Sequence, residues 1–161
     1  MEYFNNTKFL KSGTYNDYSI IFFHGHNHPA FNYNYIYENN IRKRKSYFLD
    51  YLKQLSTLFI YNRPEETFRF NKDKGLKTNM NTYLKLLKKT NINWHCKYLY
   101  EFLKKNKIKP PFVLVAHSIG SLYALKFAKM FPDKTKQVFL LDPPQFTPYI
   151  AKKVFSNKLS K

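Results

Sequence analysis

The chain has 161 residues, of which 43% are hydrophobic and 19% aromatic, and Cys96 is its single cysteine. These values exclude a disordered segment and predict one domain with a packed core over residues 1–161. One cysteine excludes an internal disulfide bond and is typical of a reducing compartment. We find no signal-peptide pattern and no apolar run of membrane-spanning length, so a cytoplasmic location without a transmembrane segment is expected.

The net charge is strongly positive, because 28 lysine and arginine residues stand against 10 acidic ones, which gives +18. A positive field attracts nucleic acid and anionic lipid. The lysines are nevertheless scattered, and the abundance of Lys, Asn, Tyr, Phe and Ile is typical of translation from an A/T-rich genome. The densest run, Arg42 to Lys45, is predicted to be the solvated start of a helix. The pattern therefore disfavours a dedicated nucleic-acid site.

In chain order, a short edge strand is predicted from Thr7 to Lys11. The apolar run Tyr18 to His24 predicts a strand that is covered on both faces. A polar, tyrosine-rich loop is expected from His26 to Asn40. Leucines at helical spacing predict a helix within Lys45 to Leu55, and Thr57 to Tyr61 predicts a second buried strand.

The second half of the sequence continues the alternation of strands and helices. Met80 to Lys105 predicts two helices that are broken near Thr90, and His95 is interpreted as a packing residue on the second. The remaining predicted elements are a strand, a helix, a strand and a last helix, at Phe112 to Ala116, Ser121 to Met130, Gln137 to Leu141 and Thr147 to Lys158. This order predicts a three-layer α/β fold, with a mostly parallel sheet of about five strands and helices on both faces.

The segment Ala116-His117-Ser118-Ile119-Gly120 stands between a predicted strand and a predicted helix. It resembles the nucleophile elbow, GxSxG, of the α/β-hydrolase family, with alanine in place of the first glycine. The tight reversal needs small residues two before and two after the serine, and Ala116 and Gly120 meet that need. The resemblance implies Ser118 as nucleophile, the N–H of Ile119 as an oxyanion-hole donor, a small ester or acyl substrate and no cofactor.

A second match lies upstream, in FFHGHNHP at the end of the first long strand. It is similar to the opening of many α/β hydrolases, in which His24 and Gly25 would shape the loop and the backbone of His26 would offer the other oxyanion donor. The tripeptide Asn62-Arg63-Pro64 resembles an Asp-Arg-Pro-Gly turn of the family, although the glycine is absent. The resemblance covers residues Thr7 to Pro143, and its parts come in the order of the family.

Three alternate histidines, His24, His26 and His28, allow a different interpretation. On an extended chain they point the same way and could chelate zinc, as in metallohydrolases. Such motifs usually include an aspartate, and HGHNHP contains none. We therefore predict no metal.

The catalytic base that the resemblance requires is missing. In the family the serine is followed by an acid and then by a histidine. Asp142, at the end of the last predicted strand, is the candidate acid, although a carboxylate that caps the next turn is the simpler interpretation. All five histidines precede Ser118, and His117 beside it should project away from the serine. The resemblance thus predicts a truncated α/β-hydrolase fold that lacks its last two strand–helix units.

Three functional interpretations remain open at this point. The chain is a serine hydrolase of esterase or lipase type whose base lies elsewhere, a catalytically dead relative that binds a ligand or partner, or a basic protein that touches nucleic acid or anionic lipid. The first two predict an exposed sheet edge at residues 137–141, through which the chain could self-associate or bind a partner chain.

Overall fold

The computed structural model describes residues 9–10, 17–26, 33, 35–38, 41–63, 90–145 and 147–148. Within these ranges, strands and helices alternate along the chain. The elements are β1 (Phe9–Leu10), β2 (Ser19–Phe23), β3 (Tyr35–Glu38), β4 (Ile41–Lys45), α1 (Phe48–Leu55), β5 (Thr57–Tyr61), α2 (Ile92–Lys105), β6 (Phe112–His117), α3 (Gly120–Met130) and β7 (Thr135–Leu141), with a short 3₁₀ turn at Pro132–Lys134.

The main sheet has five strands in the order β1-β5-β2-β6-β7. The four long strands are parallel, and β1 pairs antiparallel with β5 at one edge. β2 is the middle strand of the sheet, which explains why all five of its residues are buried. The register pairs Phe23 with both Tyr61 and Ala116, so the carboxyl ends of β2, β5 and β6 meet at one edge of the sheet. The predicted α/β fold with a mostly parallel sheet of about five strands is confirmed.

Helices cover both faces of the sheet, and each face has its own apolar core. On one face α2 and α3 pack against the sheet through a cluster that includes Leu99, Leu103, Leu114 and Phe127. On the other face α1 packs through Leu49 and Leu52. Asn91 caps α2, since its side-chain oxygen accepts a hydrogen bond from the N–H of Trp94 at 2.9 Å. Burial of these apolar side chains is the main stabilising contribution to the fold.

The region before α1 differs from the prediction. The predicted loop from His26 to Asn40 contains β3, and the basic run Arg42 to Lys45 belongs to β4 rather than to the start of a helix. β3 and β4 form a separate antiparallel pair, in which Tyr35 pairs with Lys45. Backbone pairing across a hairpin overrides the helical preference of lysine and arginine, which is small. The helix begins only at Phe48, whose N–H donates to the Ser46 hydroxyl at 3.3 Å.

Two other predictions fall on residues outside the described part of the chain. These are the first of the two helices predicted after Met80 and the last helix, predicted from Thr147 to Lys158. Among the helices that are described, none combines the length and the apolar character that crossing a bilayer requires.

β7 is the outer strand of the sheet on the side of β6. Its side chains Phe139 and Leu141 are 45% and 38% exposed, and a groove of about 450 Å³ runs between α1 and β7. The edge expected at residues 137–141 is therefore exposed within the described structure. Association through this edge stays a prediction.

Candidate active site

The turn at Ser118 joins strand β6 to helix α3. Ser118 has a φ of 50°, in the left-handed region that non-glycine residues seldom adopt. Its N–H donates to the carbonyl oxygen of Leu141 at 3.0 Å, and its own carbonyl accepts the N–H of Ser121 at 2.9 Å. These two hydrogen bonds fix the backbone at the point where the chain reverses from β6 into α3. The serine side chain is consequently half-buried at the carboxyl edge of the sheet.

Gly120 allows the first turn of α3 to approach β2. A Cβ atom at this position would lie 2.4 Å from the carbonyl oxygen of Phe23 and 2.8 Å from that of His24. Both are backbone atoms of the neighbouring strand end, so they cannot move aside as a flexible side chain would. Ala116, fully buried and paired with Phe23, is the second small residue of the turn. The two small residues thus allow the turn to pack closely against β2.

We expect Ser118→Gly to stabilise the protein, because glycine adopts a positive φ without the steric cost that serine has here. The free energy of unfolding should rise by about 1 kcal/mol relative to Ser118→Ala, after allowance for the greater freedom of glycine in the unfolded chain. Urea denaturation of the two variants gives this difference. Equal stability of Ser118→Gly and Ser118→Ala would show that the turn is not strained.

The loop after β2 is held by Arg63. Its Nη1 donates to the carbonyl oxygen of His24 at 2.7 Å, and its Nη2 donates to that of Gly25 at 2.8 Å. The backbone N–H of Arg63 donates to Nε2 of His24 at 3.2 Å. Because Nε2 accepts, the proton of the neutral ring lies on Nδ1, which donates to the Gly25 carbonyl at 2.8 Å. The backbone carbonyls of His24 and Gly25 and the His24 ring are therefore held by contacts within the protein.

Tyr33 connects the same loop to the residue before the serine. The N–H of Gly25 donates to the Tyr33 hydroxyl at 2.7 Å, and the hydroxyl is hydrogen-bonded to Nδ1 of His117 at 2.7 Å. Burial raises the pKa of Tyr33, which keeps this hydroxyl protonated and able to donate. A Cβ atom at Gly25 would lie 2.8 Å from Nδ1 of His117, so a larger residue here would displace that ring. The ring of His117 is thus engaged by the β2 loop.

The other predicted site residues follow the ends of neighbouring strands. His26 is exposed in the turn after β2, which neighbours β6 in the sheet. Ile119 occupies the N-cap position of α3, directly after the serine. Asp142 follows β7, is exposed and has a φ of 46°. The sheet topology therefore brings the turn at Ser118, the β2 loop and Asp142 to one edge.

Sequence reasoning missed the roles of Tyr33 and Arg63. Tyr33 stood in a segment predicted as loop, among several other tyrosines, and carried no local signal. In the sequence, Arg63 is recognisable only as part of a turn. Arg63 lies two residues after the end of β5 and is 2% exposed, and its place in the Asn-Arg-Pro tripeptide could have indicated this burial.

The histidines of the described structure are mostly engaged within the protein. His24 uses both ring nitrogens as described above, so it is not oriented to bind a metal together with His26. His95 is buried, and its Nδ1 is hydrogen-bonded to the Tyr61 hydroxyl at 2.6 Å. Burial lowers the pKa of His95 to about 3, and the positive charge of Arg63 adds to this shift. His28 lies outside the described residues, and in the rest no three potential ligands cluster.

Solved structures show the same fold. One is MGS-MChE2, an α/β-hydrolase enzyme from the metagenome of sediments of the lagoon of Mar Chica, Morocco, with a TM-score of 0.56 and 18% identity over 94% of this chain and 54% of that chain. Another is a candidate lipase from Acinetobacter baumannii AYE, with a TM-score of 0.57 and 18% identity over 91% of this chain and 46% of that chain.

These matches define the class of fold. The chain has the α/β-hydrolase fold and spans about half the length of the solved structures that it matches. At 18% identity the likeness concerns the fold alone. Neither a protein-family profile nor a curated protein sequence matches the chain.

Proposed function

We propose that the protein is a serine hydrolase of ester or acyl substrates, with Ser118 as its nucleophile. The observation that carries this proposal is the positive φ of Ser118 at a turn from a parallel strand into a helix. Such a turn is the nucleophile elbow of this fold, where the strained backbone exposes the serine hydroxyl. Packing alone would not favour a serine with φ of 50° where glycine is better tolerated.

In this proposal, the Ser118 hydroxyl attacks the carbonyl carbon of the substrate, and negative charge develops on the carbonyl oxygen. The backbone N–H groups of Ile119 and His26 are the proposed donors to this oxygen. Ile119 lies at the start of α3, where the positive end of the helix dipole favours an anion. The β2 loop that carries His26 follows a strand adjacent to β6, so both donors come from one edge of the sheet.

In this proposal the base of the triad is none of the three histidines whose rings are engaged in the described structure. Both ring nitrogens of His24 are hydrogen-bonded within the protein. His95 is buried and hydrogen-bonded to Tyr61, and Nδ1 of His117 is hydrogen-bonded to Tyr33. Asp142, at the end of β7, is the proposed acid that would orient the incoming imidazole. A chain without this base retains a rate about 10³ to 10⁴ above that in water, from binding and the oxyanion hole.

The same engagement of the histidines favours a second candidate function. A chain whose imidazoles serve structural roles is also what a catalytically inactive binding relative would have. Such a protein would keep the fold and the β2 loop that Arg63 holds, and it would bind an ester or carboxylate ligand without hydrolysing it. The two candidates differ in whether the Ser118 hydroxyl reacts.

A fluorophosphonate probe distinguishes them. We expect slow labelling of the purified protein at Ser118, read by peptide mass spectrometry, and at least tenfold faster labelling when imidazole is added as an external base. Ser118→Ala should abolish the labelling. Ser121→Ala is the matched control, because its hydroxyl is buried three residues away and should not affect the rate.

Two other outcomes contradict the hydrolase proposal, and a third contradicts only the external base. Equal labelling of wild type and Ser118→Ala would place the reactive group elsewhere. If Ser118 stays unlabelled even with imidazole, the binding function is favoured. Rapid labelling without imidazole would show that the base lies within the chain.

A further inference from the structure

We propose that Arg63 is a positioning residue that strengthens the oxyanion hole by polarising the peptide unit between Gly25 and His26. This inference rests on the proposed function, because it concerns the proposed donor His26. It assigns the buried arginine a role in charge stabilisation in addition to its role in holding the loop.

The argument begins with the peptide group itself. The carbonyl of Gly25 and the N–H of His26 belong to one planar, conjugated unit, so hydrogen bonds to the oxygen draw electron density from the nitrogen. The Gly25 oxygen accepts two bonds, from Nη2 of Arg63 at 2.8 Å and from Nδ1 of His24 at 2.8 Å. The first donor is charged, and charge-assisted bonds are about twice as strong as neutral ones. The N–H of His26 consequently becomes a better donor.

A second peptide unit is polarised by the same cation. Nη1 of Arg63 donates to the carbonyl oxygen of His24 at 2.7 Å, and the N–H of the same unit, that of Gly25, donates to the Tyr33 hydroxyl at 2.7 Å. The same hydroxyl is hydrogen-bonded to Nδ1 of His117, directly before Ser118. One guanidinium thus acts on both peptide units of the loop and fixes their orientation.

The surroundings of Arg63 allow its charge to act over this distance. The side chain is 2% exposed, and its guanidinium lies over the ring of Tyr123, 5.0 Å from the centroid. Water screens a buried charge less than an exposed one, so its field at the loop stays strong. The same charge helps to lower the pKa of the nearby His95, where burial is the larger cause. Lysine could supply the positive charge here but could not donate from two fixed nitrogens to the two carbonyl oxygens.

Binding of phenylboronic acid tests the inference at the proposed site. The Ser118 oxygen forms a bond to boron and releases its proton to water, which leaves a tetrahedral boronate anion facing the oxyanion donors. Its ¹¹B signal gives the affinity without any turnover. We expect Arg63→Gln to weaken binding at least tenfold and Arg63→Lys to weaken it less. Lys126→Met, which removes another buried cation, is the matched control and should leave the affinity within twofold.

Amide chemical shifts test the polarisation without a ligand. We expect the ¹⁵N resonance of the His26 amide to move upfield in Arg63→Gln, and the ring nitrogens of His117 to shift in Tyr33→Phe. Should Arg63→Gln fail to fold, the shift of His26 in Arg63→Lys relative to wild type decides in the same way. An unchanged His26 amide, or an equal loss of boronate affinity in Lys126→Met, would overturn the inference.

The two readouts separate this inference from the proposed function. If wild type forms no boronate at Ser118 but the His26 amide responds to Arg63, the hydrolase proposal fails and the polarisation stands. If the boronate forms at Ser118 with the same affinity in Arg63→Gln, the hydrolase proposal stands and Arg63 only holds the loop.

Discussion

Replacing Gly120 with alanine is expected to lower the free energy of unfolding by about 3 kcal/mol or more. The new methyl group would lie 2.4 Å from the carbonyl oxygen of Phe23 and 2.9 Å from its carbonyl carbon. These atoms belong to the end of β2, which is paired with β5 on one side and β6 on the other. The strand cannot retreat without breaking these pairs, so α3 must move away from the sheet.

Urea denaturation followed by circular dichroism measures this effect. Ser121→Ala is the matched control, since it changes the next residue of the same helix and removes a buried hydroxyl that has no hydrogen-bond partner in the described structure. It should unfold within about 1 kcal/mol of wild type. A Gly120→Ala protein with the wild-type urea midpoint would show that α3 does not approach β2 as closely as described.

Acidification below pH 6.5 is expected to destabilise the protein through His95. Burial lowers the pKa of this imidazole from 6.5 to about 3 in the folded protein. The unfolded chain therefore binds a proton at a higher pH than the folded one. The stabilising contribution is complete above pH 6.5 and is lost as the pH falls toward 3. The loss is on the order of 4 kcal/mol over this interval.

His95→Gln separates this contribution from that of other titrating groups. Glutamine can keep a hydrogen bond to the Tyr61 hydroxyl but does not titrate. The variant should have a shallower dependence of unfolding free energy on pH between 6.5 and 3 than wild type has. Parallel curves for the two proteins, measured by urea denaturation at each pH, would show that His95 is not buried in its neutral form.

Local features of the sequence predicted most elements of the sheet. The strand predicted at Thr57 to Tyr61 has the same limits in the structure, and the helix predicted from Ser121 begins one residue earlier. Apolar runs bounded by polar or proline residues specify such elements without reference to distant parts of the chain. The hairpin of β3 and β4 was missed because its basic residues have no strand preference of their own.

By itself, the sequence determined the α/β alternation and the small residues around Ser118, because apolar spacing and steric need act over a few neighbouring residues. The tertiary structure alone decided what the β2 loop touches. Arg63 is 38 residues from the Gly25 carbonyl that it binds, and Tyr33 is 84 residues from His117. Contacts over such separations depend on strand order and register, since only the pairing of β2 with β5 and β6 brings these groups within hydrogen-bonding distance.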